Sequence, residues 1–425
     1  MVDYPRMIRL LTVFLCICCV TPSMAQEKAP TTSNTKKLLK SYYELETTAE
    51  EKENIIRQLA LIDLSKASLW RKWLKQMQKD AKDSISELPK EKGEYFFWPE
   101  TKQGFYIIAG ETEKPKGLMI GMHGGGVGSG DAHAAAGAMK NAGKELGWLS
   151  IFPEVIEKTE HGWTDSGTEE WVMQLVDMAI ATYEIDPDHI YLSGHSMGGY
   201  GSWTLGAHHA DRIAAIAPSA GAPSPVYNYD GEIIEIQSGV VPNLRNLPAV
   251  VFQSTDDPRV PADANQAAVK IVEQMKKRWG GYENFKYWEV HDRGHGYPEG
   301  GMISLLSKIK DFKRNVHPKK IVWQPTLEWK KQFYSLNWPT PRLESIVLAD
   351  FNAENNSFDI QSDANLSGFE LMLSPDMVAI DKEITVSLNG KEVLKHTPQP
   401  NLGYLLKHYS HADSNRIYAD KITLP

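Results

Sequence analysis

The chain of 425 residues predicts an α/β fold, a mostly parallel sheet with helices on both faces. A helical N-terminal extension and a small C-terminal β-rich module flank it. Three observations carry this expectation. From about Glu94 to His317, short continuous apolar runs alternate with amphipathic stripes, the pattern of strands buried on both faces beneath covering helices. One of those runs enters the string Gly194-His195-Ser196-Met197-Gly198, the G-x-S-x-G spacing of a sharp strand-to-helix turn. Before and after this region the periodicity changes, to charged helical spacing on one side and to two-residue alternation on the other.

In chain order, Arg6 and Arg9 precede an apolar run over 10–20, and Ser23-Met24-Ala25 fits a small-x-small cleavage site. Residues 1–25 therefore read as a signal peptide, and the expected location is secreted or periplasmic. The run is too short to span a bilayer, which needs about 20 residues. All three cysteines (Cys16, Cys18, Cys19) fall inside it. The exported part then has no disulfide, thiolate nucleophile or cysteine metal site, and disulfide-free export points to a bacterial periplasm or exterior. In the extension over 26–93, the residues up to about Lys36 are expected to be disordered. Thr48 and Glu51 suggest a capping box opening a helix through Ile55, Ile56 and Leu59. Leu69, Trp70, Trp73, Leu74 and Met77 follow at helical spacing and read as core contacts.

The catalytic-sized body is placed at 94–317. Buried strands are expected at 117–122, 148–152, 190–192, 213–217, 249–252 and 285–290. Helices are expected through Val172, Leu175, Val176, Ala179 and Ile180, and through Ala264, Ala268, Ile271, Val272 and Met275. Over 318–425, Trp323, Trp329, Phe333, Tyr334 and Trp338 cluster. Ile384, Val386 and Leu388 then alternate with polar residues before the hairpin signal Asn389-Gly390. The aromatics read as a structural cap in preference to a sugar-stacking row, since clustered Trp usually builds core. A formal net charge of -8 argues against nucleic acid, and against anionic membranes beyond export, as partners.

The chemistry is placed by spacing. The serine of such an elbow sits in a strained conformation that only small neighbours two residues away accommodate. Its position at a helix N-terminus lets free N–H groups meet a developing oxyanion. Gly124 and Gly125, in the run His123-Gly124-Gly125-Gly126 after a strand end, are the expected oxyanion donors together with Met197. One such donor is worth roughly 10²–10³ in rate. No Gly-Lys-Ser/Thr follows, so a phosphate loop is disfavoured. After the strand ending at Phe252, Asp256 and Asp257 compete to orient a histidine. Asp257 fits a D-x-x-V-P spacing and is preferred, and the other aspartate is expected to cap the helix near Pro261. His295, flanked by glycines, is preferred to His291 as the base, because an imidazole accepts and returns a proton near neutral pH. His195 is expected to point away from the reacting centre, and His123 to brace the oxyanion loop. Asp131, His133, His161 and Asp165 lack metal-site spacing, and neither metal nor cofactor is expected.

The order Ser196, Asp257, His295 and the stretch 163–221 resemble the α/β-hydrolase superfamily. Within it they look like the exported esterases akin to polyhydroxybutyrate depolymerases, feruloyl esterases and the phospholipase/carboxylesterase group. The likeness covers about 117–316. It implies a serine carboxylic ester hydrolase with nucleophile Ser196, acid Asp257, base His295 and oxyanion donors Gly125 and Met197. It also implies a small-molecule or polymer-borne ester as substrate. Trp163 and Tyr227 are expected to wall the substrate pocket. The missing disulfide departs from feruloyl esterases. A serine peptidase of the prolyl-oligopeptidase-like type is the alternative, although no propeller-sized N-terminal region is present. A second alternative is a polysaccharide-associated protein whose C-terminal module binds glycan.

Overall fold

The computed structural model describes residues 28–425, and the signal segment assigned to 1–25 lies outside them. The central sheet has eight strands: β1 (Gly93–Trp98), β2 (Gln103–Gly110), β3 (Leu118–Met122), β4 (Leu149–Pro153), β5 (Ile190–His195), β6 (Ala215–Ser219), β9 (Ala249–Ser254) and β10 (Phe285–Val290). A two-stranded hairpin, β7 (Pro225–Tyr227) and β8 (Ile233–Ile236), stands outside it. The order across the sheet is β1-β2-β4-β3-β5-β6-β9-β10. The pairs β1–β2 and β2–β4 are antiparallel, and every later neighbour is parallel.

Side-chain alternation divides the core into two layers. Ile120, Leu192, Ile216 and Val251 point to the face covered by α5 (Thr168–Tyr183) and α6 (Met197–His208). Met119, Tyr191, Ala215 and Val250 point to the other face, under α4 (Ala132–Leu146) and α8 (Met302–Leu306). Strands β3, β4, β6 and β9 are buried throughout, which is why they read as unbroken apolar runs. The helix α7 (Asp263–Trp279) joins β9 to β10.

The extension is ordered earlier than expected. α1 (Thr32–Tyr43) begins within the stretch anticipated to be disordered, its Thr31 hydroxyl accepting from the Asn34 N–H. α2 (Ala49–Leu59) opens with the expected capping box, in which Glu51 accepts from the Thr48 N–H at 2.8 Å. Trp70 and Trp73 of α3 (Ala67–Ala81) are buried. Their partners include Leu402, Leu405 and Leu406 of α9 (Leu402–His408), so the extension packs against the far end of the chain. Gly403 permits this contact, since a Cβ there would stand 2.3 Å from the Ile56 carbonyl oxygen.

The C-terminal part forms a five-stranded and a four-stranded sheet. Asn389 and Gly390 both have positive φ, at 51° and 79°, as the tight turn joining Ile384–Leu388 to Lys391–His396 requires. Trp323, Phe333, Tyr334 and Trp338 are buried in the same core as the central sheet, and of that cluster only Trp329 is exposed.

Buried charges bind the two parts together. Asp413 lies 2.7 Å from both Arg314 and Arg416, and Arg416 reaches Asp211 at 2.6 Å. Burial opposes ionisation of Asp413, but the three surrounding guanidinium groups outweigh it and hold its carboxyl below the usual range. Asp413→Ala removes the one buried carboxylate that Arg212, Arg314 and Arg416 share, leaving each with a single carboxylate partner, Asp177, Asp188 and Asp211 respectively. We expect it to cost about 3–5 kcal/mol of stability, measured by urea unfolding; a change within experimental scatter contradicts this reading. A second buried group links α5 to α6. Glu169 accepts from His208 Nδ1 and His209 Nε2, each at 2.9 Å. Burial alone would raise its pKa, yet the two imidazoles outweigh it and bring it to about 2. Its stabilisation is therefore complete above the unfolded carboxyl value of about 4.3. It is lost as pH falls from there through about 2. Glu169→Gln should flatten the decline of Tm over that acid window; an unchanged slope argues against it.

Candidate active site

The elbow joins β5 to α6. Ser196 has φ 60° and ψ −122° and is the N-cap of α6, with no side-chain cap hydrogen bond. Its N–H donates to the Ser219 carbonyl at 2.9 Å. A positive φ is costly for a residue with a Cβ, and the surrounding glycines explain how it is tolerated. A Cβ on Gly194 would meet the Gly198 oxygen at 2.4 Å, and one on Gly198 would meet the Met122 oxygen at 2.2 Å. The elbow thus packs directly on the end of β3, from which the glycine-rich loop 123–126 departs. Gly124 approaches so closely that a Cβ there would lie 3.1 Å from the Ser196 Cβ. Gly125 has φ 146°, and a Cβ would stand 2.4 Å from the Ser129 oxygen.

Asp257 and His295 are brought together. His295 Nδ1 donates to Asp257 Oδ2 at 2.7 Å. The other oxygen, Oδ1, accepts from the Arg259 and Val260 N–H groups at 2.8 and 2.9 Å. The Asp257 side chain is fully buried, so three donors hold one carboxylate in a fixed orientation. Asp256 takes a different place from the expected helix cap. It is exposed, and its Oδ1 accepts from Ser254 Oγ at 2.5 Å and from the Gly294 N–H at 3.0 Å. Those bonds hold its carboxyl below the usual range and tether the loop that presents His295. α7 instead starts at Asp263, too far along the loop for Asp256 to cap. His291 is exposed and pairs with Thr255 Oγ1 at 2.8 Å.

Ser196, His295, Gly124 and Gly125 line one cavity of about 300 Å³. His195 lines it too, which corrects the expectation that its ring turns away. Its ring centroid lies 4.8 Å from that of His295 and 4.5 Å from that of Tyr297. Its Nδ1 shares a hydrogen bond with Ser219 Oγ at 3.1 Å. Burial, reinforced by the neighbouring His295, lowers its pKa to about 4, so the ring is neutral near pH 7 and adds no positive charge beside His295. Its direction is held by the Ser219 hydroxyl, a contact 24 residues away that the local sequence pattern does not encode.

His123 braces the glycine-rich loop 123–126. It is buried, donating from Nδ1 to the Gly124 carbonyl at 2.9 Å and accepting at Nε2 from the Val155 N–H at 3.2 Å. Accepting at Nε2 requires the neutral ring, and burial favours it by lowering the pKa. Trp163 does not face the cavity. It is completely buried beneath that loop, its Nε1–H donating to the His123 carbonyl at 3.1 Å, so it supports the loop without reaching a substrate. Tyr227 is half exposed on the β7–β8 hairpin and lines a second cavity that also includes Ser196 and Met197. Asp131 caps α4, His133 pairs with Glu94, and Asp165 accepts from Thr159. The sequence reading overlooked Arg259 and Tyr297 in the cavity wall; Arg259 lies inside the Asp257 motif and was discoverable there.

Strand order, a serine elbow after β5, an aspartate after β9 and a histidine after β10 together define the α/β-hydrolase fold. No protein-family model matches the chain. Over 153 residues it is 28% identical to the bifunctional acetylxylan esterase/xylanase XynS20E of Neocallimastix patriciarum, covering 31% of this chain and 22% of that protein. The chain thus spans about a fifth of that curated relative. Among solved structures, a thermostable esterase aligns at 21% identity and TM-score 0.41 over 53% of this chain and 63% of the other. Est1E from Butyrivibrio proteoclasticus aligns at 18% identity and TM-score 0.35, over 49% and 91%. The ferulic acid esterase AmCE1/Fae1A of Anaeromyces mucronatus aligns at 16% identity and TM-score 0.35, over 52% and 89%.

Proposed function

We propose that this protein is an exported serine esterase that hydrolyses carboxylic esters through Ser196, His295 and Asp257. One observation carries the reading: an imidazole bound at 2.7 Å to a buried carboxylate shares a cavity with a serine held at positive φ. In this reaction Ser196 Oγ bonds to the ester carbon while its proton passes to His295 Nε2. The backbone N–H groups of Gly124, Gly125 and Met197 meet the oxyanion. His295 then gives the proton to the leaving alcohol as the carbon–oxygen bond breaks. Water, deprotonated by the same nitrogen, releases the acid and restores the serine. The acid role goes to Asp257, because it is the carboxylate that touches His295.

The acetylxylan esterase named in the curated relative supports an ester over an amide. The burial of Trp323, Phe333, Tyr334 and Trp338, with Trp329 alone of that cluster exposed, supports a structural role for the C-terminal module, since sugar stacking needs a row of exposed rings. The catalytic unit is taken as 94–317, supported by 26–93 and 318–425. The signal motif supports export, and no helix among the described residues is long and apolar enough to cross a membrane. Purified mature protein should be assayed on p-nitrophenyl acetate, acetylated xylan, feruloyl esters, polyhydroxybutyrate and peptide amides. Ester turnover well above amide turnover is expected, and the reverse ranking would establish a peptidase.

A further inference from the structure

Ser196 borders two cavities with different walls. The first, of about 300 Å³, reaches His295 and is closed by Ala134, Ala135, Ala138 and Met139 of α4 with Met122 and Met302. The second, of about 550 Å³, runs past Met197 along Tyr200, Pro223 and Tyr227 to Glu160 and Asp263, and His295 is not among its lining residues. Arg259 and Gly125 border both.

The reaction decides which half of an ester each cavity holds. Besides Ser196 Oγ, the tetrahedral carbon carries an oxyanion, a leaving oxygen and the acyl substituent. The oxyanion is turned toward the backbone donors. The leaving oxygen must lie within about 3 Å of the nitrogen that protonates it. The alcohol therefore occupies the cavity that His295 lines, and the acyl chain is left with the cavity that it does not. The dimensions of the walls then set the substrate. Alanine methyls of α4 and the neighbouring methionines narrow this cavity, while Arg259, Tyr297 and His195 keep polar groups on its wall, so size and not polarity limits the alcohol. The acyl cavity is larger and ends in Glu160, Asp263 and the Tyr227 hydroxyl, which donates to Asp263 Oδ2 at 3.4 Å.

We propose that this protein selects esters of a compact alcohol joined to a bulkier acyl group with a polar outer end. The alanine face of α4 sets the size limit of the alcohol. This inference rests on the esterase reading above and extends it to substrate class.

Two ester series test it on the full mature protein by pH-stat. One holds acetate constant and varies the alcohol from methyl through propyl to benzyl. The other holds methanol constant and varies the acyl group from acetyl through butyryl to 4-hydroxycinnamoyl. Ala134 is exposed on α4, so Ala134→Leu keeps the helix and narrows the alcohol cavity; Ala138→Leu repeats the arm from a half-buried position on the same wall. The benzyl-to-methyl ratio of kcat/KM is expected to fall by about tenfold or more in these variants, with little change in the acyl series. Tyr227→Ala should reverse that pattern, moving the acyl series and sparing the alcohol series. A further readout separates the halves: the alcohol has left before deacylation, so Ala134→Leu should alter acylation alone. Equal movement of both series, or movement in the acyl series alone, overturns the assignment. A native protein that turns over no ester, with Ser196 unreactive toward a fluorophosphonate, removes the esterase reading itself.

Discussion

Ser196→Ala is expected to lower ester turnover by roughly 10⁵–10⁶-fold with thermal unfolding left in place. The two halves of that expectation have separate causes. The hydroxyl makes no cap hydrogen bond to α6, and alanine meets the same backbone strain at φ 60° that serine already tolerates. The elbow should therefore keep its shape, with a stability change within about 0.5 kcal/mol. Turnover falls because no other oxygen replaces Oγ as the atom bonded to carbon; the oxyanion donors alone retain only residual catalysis. Progress curves on p-nitrophenyl acetate with denaturation curves on the same samples read both quantities. A folded variant that keeps more than a tenth of native activity would move the nucleophile elsewhere.

The parts legible in sequence are those governed by local chemistry. Strands β3, β6 and β9 announce themselves because both faces are buried. The elbow does so because Gly194 and Gly198 have no room for a Cβ. The Asn389-Gly390 turn is legible because both residues need positive φ. Strands β1 and β2 escaped assignment because they lie at the antiparallel edge, where Phe96 and Trp98 remain partly exposed and apolar content no longer reports burial. The pairing of the extension with α9 could not be read, because its partners lie more than 300 residues apart. Side-chain direction was the weakest inference. Trp163 and His195 were assigned by type and neighbourhood, yet each is directed by a distant contact, Trp163 to the His123 carbonyl and His195 to Ser219. Asp257 was legible over Asp256 only through its spacing to Val260, whose N–H it binds at 2.9 Å.

Asp257→Asn is expected to lower kcat by roughly 10⁴-fold, and the reason lies in which oxygen does what. Oδ1 accepts the Arg259 and Val260 N–H groups, so an asparagine carbonyl settles there and its NH₂ replaces Oδ2. That NH₂ then faces His295 Nδ1, which at present donates. Two donors cannot share one hydrogen bond, so the ring shifts its proton to Nε2. An imidazole protonated at Nε2 has no lone pair for the Ser196 proton, and acylation stalls although every atom is close to its native place. Asp256→Asn makes the matching control, because both donors to Asp256 reach the same oxygen, Oδ1, and an amide carbonyl preserves them. Its loss should be far smaller. Steady-state kinetics on the pair decide the matter: a severe loss at Asp256 with a mild one at Asp257 would reverse the acid assignment, and NMR of the His295 ring nitrogens would report the tautomer directly.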